Sequence, residues 1–486
     1  MLKNINDKIT KMLEENSYYR WFKKVIEIFI SLFFGLALLS SLYVFTYPFN
    51  ESIKIFIYIG ILIVYFLLIY FFKNKVKDIF NKLLNRIELL DTKTMVIVIS
   101  IVLIVLKVIY TLFFNYDATK NGDLTIYNDI ANQIAFSNSI NNNEISHLLG
   151  VGFHLALIKK IGLPLHIGIF IVFFIGTIIN FLSFKKIVGK EKAFFIVIMY
   201  VLMPSTIMMT FCPTHELFVY FYFSLFLFLF NCFINEKLLF KKIILAITII
   251  LTVTLCIMVN PAGYLLIIIL ALSVLLSNIE LLKKGIIVLI IVFSLLSSST
   301  IEKSFNFDKL QTDLNTYSIL IHGSNIKSKG EQLDGYPKDA AIDYLDEHSI
   351  EHSLENRLYG MKQVLKEQYI YLLTHPVDLI KLLIHKFYVC WSGDFYSLEV
   401  AYVQKALPTV VYYLMLGLST VIYLMFISIG LVFFKKKDDS IYISNYKLAL
   451  LGVVGLLLVS LVLNKYSIYV TIFIYLISMY RLETKE

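Results

Sequence analysis

The segment Asn121-Gly122-Asp123-Leu124-Thr125-Ile126-Tyr127-Asn128-Asp129-Ile130-Ala131 holds side chains whose types and spacing suit proton transfer. With a helix from Leu124 onward, Asp123, Tyr127 and Ala131 recur every four residues and share one face. A carboxylate at the tip of such a helix accepts a proton from an incoming hydroxyl, which is general-base work. Asp117 and Asp129 compete for that role, and an Asp at a helix start serves equally well as a cap. A second constellation is Pro213-Thr214-His215-Glu216. Glu216 is a candidate for catalysis or for orienting a ligand; its alternative is to complement a helix macrodipole. No further ligand stands at helical spacing from the His-Glu pair, so no metal ligands are assigned, and the sequence leaves open whether a divalent ion assists. Three cations suit a phosphate: Lys107 within an apolar run, and Arg357 and Lys386 in a polar one, Arg357 with bidentate geometry.

These residues must be positioned by elements that are mostly lipid-soluble. The 486 residues are 58% hydrophobic and 15% aromatic, with a mean hydropathy of +0.76. About 20 apolar residues of helix cross a hydrocarbon core about 30 Å thick. About twelve such runs are readable: 25–46, 55–72, 95–114, 166–184, 194–210, 217–233, 243–259, 264–276, 285–296, 410–434, 448–463 and 468–480. An open sheet would leave backbone groups unpaired in lipid, and the runs are too long and too uniformly apolar for barrel strands. The expected fold is an all-α polytopic membrane protein of about 12 transmembrane helices, with outer juxtamembrane helices and one larger outer region.

Lys and Arg collect in alternate loops: Lys73, Lys75, Lys77, Lys82 and Arg86, then Lys185, Lys186, Lys190 and Lys192, then Lys237, Lys241 and Lys242. Lys283 with Lys284, and Lys435 with Lys436 and Lys437, continue the alternation. Positive charge is retained on the cytoplasmic side, so these loops and both termini are expected inside a cell membrane. The net charge of +9 thus speaks for topology and anionic lipid rather than nucleic acid. The hydrophilic stretches 115–146 and 302–368 then lie outside. The short apolar segment 145–160 ends in Lys159 and Lys160 and is read as a helix on the outer surface. Four cysteines give no disulfide framework. The first apolar run is too long for a cleavable signal and is read as an anchor.

The chain divides into an appended two-helix module (1–93), a transmembrane core (94–299) with a first outer loop (115–165), an outer region (300–406) and C-terminal transmembrane helices (407–486). From Pro376, the apolar positions Val377, Ile380, Ile384, Phe387 and Trp391 recur at three and four residues, as in a helix lying in the interface. No run is interrupted by paired glycines near its middle, which weighs against a transporter with broken helices.

An outer first loop with Asp123, Tyr127 and Ala131, Pro213 with Glu216 after the next hairpin, and Pro261 after the following one resemble the GT-C superfamily. Within it the pattern is similar to bacterial protein O-mannosyltransferase-like enzymes. The segment His322-Gly323-Ser324-Asn325-Ile326-Lys327-Ser328-Lys329-Gly330, and His375-Pro376 with Lys386 and Trp391, resemble outer segments of that branch. Only the first acid of the family's acidic pair is matched, by Asp123-Leu124, and Asn260-Pro261 stands where many members have Arg-Pro. The resemblance implies transfer of a sugar from a polyprenyl-phosphate carrier to a surface glycan or protein acceptor. It implies inversion at the anomeric carbon and Asp123 as base; the candidate substrate contacts are Tyr127, Asn325, Lys107, Arg357 and Lys386. The alternatives are a polymerase or ligase acting on lipid-diphosphate-linked glycans, for which more outer arginines than Arg357 would be expected, and a lipid or solute transporter.

Overall fold

The computed structural model describes residues 17–46, 50–113, 122–137, 146–211, 214–276, 280–304, 309–330, 336–391, 408–432, 440–460 and 468–482. All regular structure among them is helical. The helices α1 (Ser17–Val44), α2 (Glu51–Glu88) and α3 (Thr92–Phe113) are followed by α4 (Gly122–Asn132), which runs on into a π-helical turn, Gln133–Ser137. Next come α5 (Ser146–Lys160), α6 (Leu165–Val188), α7 (Lys190–Leu202), α8 (Pro204–Met208), α9 (His215–Asn235) and α10 (Leu239–Val259). Then follow α11 (Tyr264–Leu276), α12 (Leu281–Ser304), α13 (Lys309–Ser324), α14 (Tyr336–Glu347), α15 (Leu354–Thr374) and α16 (Pro376–Trp391). The last three are α17 (Thr409–Val432), α18 (Ile441–Val459) and α19 (Ile468–Arg481).

Nine helices among the described residues are long and apolar enough to cross a bilayer, and a tenth span is made by α7 with α8 if the bend between them is counted within one crossing. The runs expected at 264–276 and 468–480 form shorter helices of 13 and 14 residues. The expected run 194–210 is not one helix. It breaks at Met203, and α8 leaves α7 at 67°. Pro204 has no N–H for the carbonyl of Tyr200. The Thr206 hydroxyl donates to that carbonyl at 2.7 Å and to the Met203 carbonyl at 2.7 Å, so the break leaves neither acceptor bare.

The bundle closes on α9, whose run of Phe, Leu and Tyr is apolar all round and is accordingly buried. Gly176 of α6 makes room for the Tyr220 ring: a Cβ there would lie 2.9 Å from it. The Tyr220 hydroxyl is met by the Asn180 amide at 3.0 Å, and its ring stacks on Tyr200, which in turn meets Tyr475.

One end of the bundle is basic. Lys190 donates to the carbonyls of Glu88 and Leu90, Lys192 to those of Met479 and Leu482, and Lys283 to that of Ile234. At the same end Glu27 of α1 bridges Lys447 of α18 and Arg481 of α19, the latter at 2.6 Å. Among the described residues, Lys190, Lys192 and Lys283 of the alternating basic loops thus bond backbone carbonyls of neighbouring segments. The first helix, grouped in the sequence with the second as an appendage, is built into the bundle: Ile30, Phe33, Phe34 and Ala37 are buried, and Phe33 meets Trp391 edge-on at 4.9 Å. In the most apolar stretch of α2, by contrast, no residue is buried.

The second hydrophilic stretch is itself helical. Helices α13, α14 and α15 enclose a small core of Leu314, Ile321, Ala341, Leu358, Met361, Val364 and Leu365. The amphipathic stripe read for α16 divides: Val377, Ile380 and Ile384 are exposed, whereas Phe387 and Trp391 are buried against Phe33 of α1, and Lys386 is buried as well. This helix therefore leans into the bundle, its exposed apolar side turned outward.

Candidate active site at the end opposite the basic layer

Helix α4 starts at Gly122, so Asp123 stands in its first turn; the Asp123 side chain lies outside the described residues, as does all of Asp117. One turn on, Tyr127 is buried, and Ile130 and Ala131 with it, which is the face that the spacing predicts. Asp129 is exposed. The Tyr127 hydroxyl lies 3.4 Å from Nδ1 of His215. Nε2 of the same ring is 3.0 Å from Oε1 of Glu216, an ion-pair distance when the imidazole is protonated. Glu216 is 2% exposed. Tyr127, His215 and Glu216 thus form one buried cluster of hydroxyl, imidazole and carboxylate, in which the Tyr127–His215 contact is a hydrogen bond and the His215–Glu216 contact is a charge pairing without hydrogen-bond geometry.

Lys107 is placed at the same end by the break at Pro204. The 3-10 turn Met209–Phe211 presents Thr210, whose hydroxyl and carbonyl accept from Lys107 Nζ at 3.0 and 3.3 Å. The ammonium also sits 3.2 Å from the centre of the Phe211 ring, a cation–π contact. Lys107 is 7% exposed, so it does not snorkel into water.

Helix α5 props α4 from beside. Gly150 lies so close to α10 that a Cβ would come within 2.0 Å of the Met258 carbonyl oxygen, and Gly152 abuts Ile130 of α4. Lys159 donates to the side chains of Asn128 at 2.6 Å and of Asn132. Burial lowers the pKa of Lys159, while the neighbouring Asp129 carboxylate raises it. His154 bonds the Gly150 carbonyl at 2.6 Å and the hydroxyl of Tyr222, and burial holds its pKa below the usual value. Neither Lys159 nor His154 was singled out from the sequence for chemistry. The Asn128 and Asn132 pair, one turn apart on α4 and ready to accept from a cation, is the signal that finds Lys159.

The other candidate substrate contacts fall elsewhere. Lys386, 1% exposed, donates to the carbonyls of Leu458 and Ser460 at 2.7 and 2.8 Å, and so caps the C-terminal end of α18, where a cation is favoured. Asn325 stands beside it: its side-chain oxygen accepts from the backbone of Lys327 at 2.8 Å, and the turn it starts ends at Gly330, which lies against Lys386. Lys329 and Gly330 both have positive φ, 56° and 84°, which lets the turn close over the lysine. Arg357 belongs to α15. Tyr127, Glu216 and Lys107 are therefore brought to one end of the core, and Asn325 and Lys386 form a second group. Among the described residues, no three His, Cys, Asp or Glu side chains are placed to hold a metal ion.

Burial lowers the Lys386 pKa to about 8. Below that value the folded and unfolded chains both carry the proton, and the folded one bears the full cost of the buried charge. Between about pH 8 and the ordinary lysine value near 10.4, the folded chain gives up the proton while the unfolded chain keeps it, so stability rises with pH. Thermal unfolding in detergent at pH 7.5 and 9.5 is expected to show this rise, and Lys386→Met to flatten it; an equal slope in the variant would assign the effect to another group.

The chain matches no family model, no curated protein and no solved structure.

Proposed function

We propose that this protein transfers a sugar from a polyprenyl-phosphate carrier to an acceptor hydroxyl at the end of the bundle away from the basic layer. The observation that carries the reading is the seating of α4: Tyr127 ties the helix that begins with Asp123 to the buried His215–Glu216 pair, with Lys107 held at the same end. In the proposed step, Asp123 takes the acceptor's proton as its oxygen bonds to the anomeric carbon. The bond from that carbon to the phosphate oxygen breaks, with inversion, and the carrier phosphate departs with the electron pair. Glu216 and His215 orient Tyr127, and with it the start of α4. Lys107 supplies positive charge beneath the developing phosphate. By the rule that basic loops stay inside, the site faces outward from a cell membrane and both termini face inward.

A transporter is the second reading, favoured by one observation: the 67° break between α7 and α8 is the type of broken span that lines solute sites. Mass spectrometry of surface glycans from cells with and without the protein separates the two. The proposal expects one sugar substituent to disappear with the protein. Shortened glycan chains would instead indicate a polymerase using lipid diphosphates, and unchanged glycans would leave transport as the better account.

A further inference from the structure

Helix α2 runs beside α17 without packing closely on it. Between them lies a cavity of about 420 Å³ walled by Leu68, Phe72, Val76, Phe80, Met425 and Val432. Tyr65 closes its deep end through a hydrogen bond to Ser428 at 2.5 Å. At the other end stand Lys73 and Lys77, one helical turn apart, and Leu482, the neighbour of the Arg481 that binds Glu27 in the basic layer. The lining of the groove is almost wholly apolar: Lys73 and Lys77 contribute their stems and hold their ammonium groups outside the lining, on the side of the basic end. The apolar stretch of α2 has no buried residue, so the groove opens sideways from the bundle.

We propose that this groove binds an anionic phospholipid, with an acyl chain along α2 and its phosphate between Lys73 and Lys77. From Lys77 to Tyr65 the helix rises about 18 Å, close to the depth of one leaflet of a hydrocarbon core about 30 Å thick. The length thus suits a lipid of a single leaflet and is too short for a molecule that spans the membrane. Neither lysine has a hydrogen-bond or ion-pair partner among the described residues, and an ammonium at the membrane surface is attracted to anionic headgroups. The site lies at the end opposite Asp123 and does not depend on the proposed transfer reaction.

Native mass spectrometry of the full-length protein, titrated with phosphatidylglycerol or with phosphatidylcholine of the same acyl chains, tests the site. The wild type is expected to prefer phosphatidylglycerol by about thirtyfold, near 2 kcal/mol at 1.4 kcal/mol per decade. The double variant Lys73→Gln/Lys77→Gln is expected to bring the preference close to one, while Lys75→Gln/Lys82→Gln, which changes two lysines outside the groove, keeps it. Val76→Trp, which fills the groove from an exposed position, should weaken both lipids. An unchanged preference in the Lys73/Lys77 variant, an equal loss in the control, displacement by inorganic phosphate alone, or indifference of both lipids to Val76→Trp would each overturn the proposal.

Discussion

Asp123→Asn is expected to lower sugar transfer by about 100-fold to 10,000-fold, the share that a positioned base contributes, while the protein stays inserted and folded. Asn has nearly the shape of Asp and serves a helix start almost as well, so the beginning of α4 should survive. The neighbours that seat α4 are also untouched: Tyr127 still meets His215, and Lys159 still meets Asn128 and Asn132. What is lost is the capacity to take a proton. The measurement is the rate of polyprenyl phosphate release from a polyprenyl-phosphate sugar by reconstituted protein, with the melting temperature taken in parallel. Asp129→Asn is the matched control, because Asp129 is exposed on the same helix. Near-normal rates for Asp123→Asn would reduce that residue to a helix-start role, and a large loss in the control would move the base to Asp129.

The second large effect is expected at the basic end. Lys447 and Arg481 are almost fully buried, at 1% and 3% side-chain exposure, and Glu27 is the carboxylate they share. Arg481 is further fixed by the Gly430 carbonyl at 3.3 Å and lies over the Phe34 ring. Glu27→Gln leaves two cations facing each other in an apolar surrounding, and breaking a buried ion pair from one side costs about 3–5 kcal/mol. Replacing all three by apolar residues, Glu27→Leu with Lys447→Met and Arg481→Met, should recover much of that loss, because no charge then remains to be desolvated. Denaturant unfolding in mixed micelles measures both. A loss below about 1 kcal/mol for Glu27→Gln would mean that water reaches the cluster.

The spans were legible because the apolar runs needed to cross lipid leave a signal along the chain, and the basic layer was legible because lysines recur in alternate loops. The helix through Tyr127 was likewise readable from its spacing. What failed was anything decided by a distant partner. Nothing near Lys386 in sequence announces that its ammonium ends on carbonyls of Leu458 and Ser460, where it caps α18. Glu27 and Lys447 are separated by 420 positions, and neither stands in a motif. The break at Met203 was hidden because apolar residues continue on both sides of it, so hydropathy is blind to a change of direction that Pro204 imposes.

That change of direction also governs where positive charge rests in the core. A straight helix would carry the Thr210 carbonyl upward into its own ladder. Turned aside at Pro204, the chain instead delivers it laterally to α3, where it anchors Lys107. The altitude of the ammonium is thus set by a kink more than ninety residues away along the chain, and any movement of that half-span would raise or lower the cation as a lever moves its load.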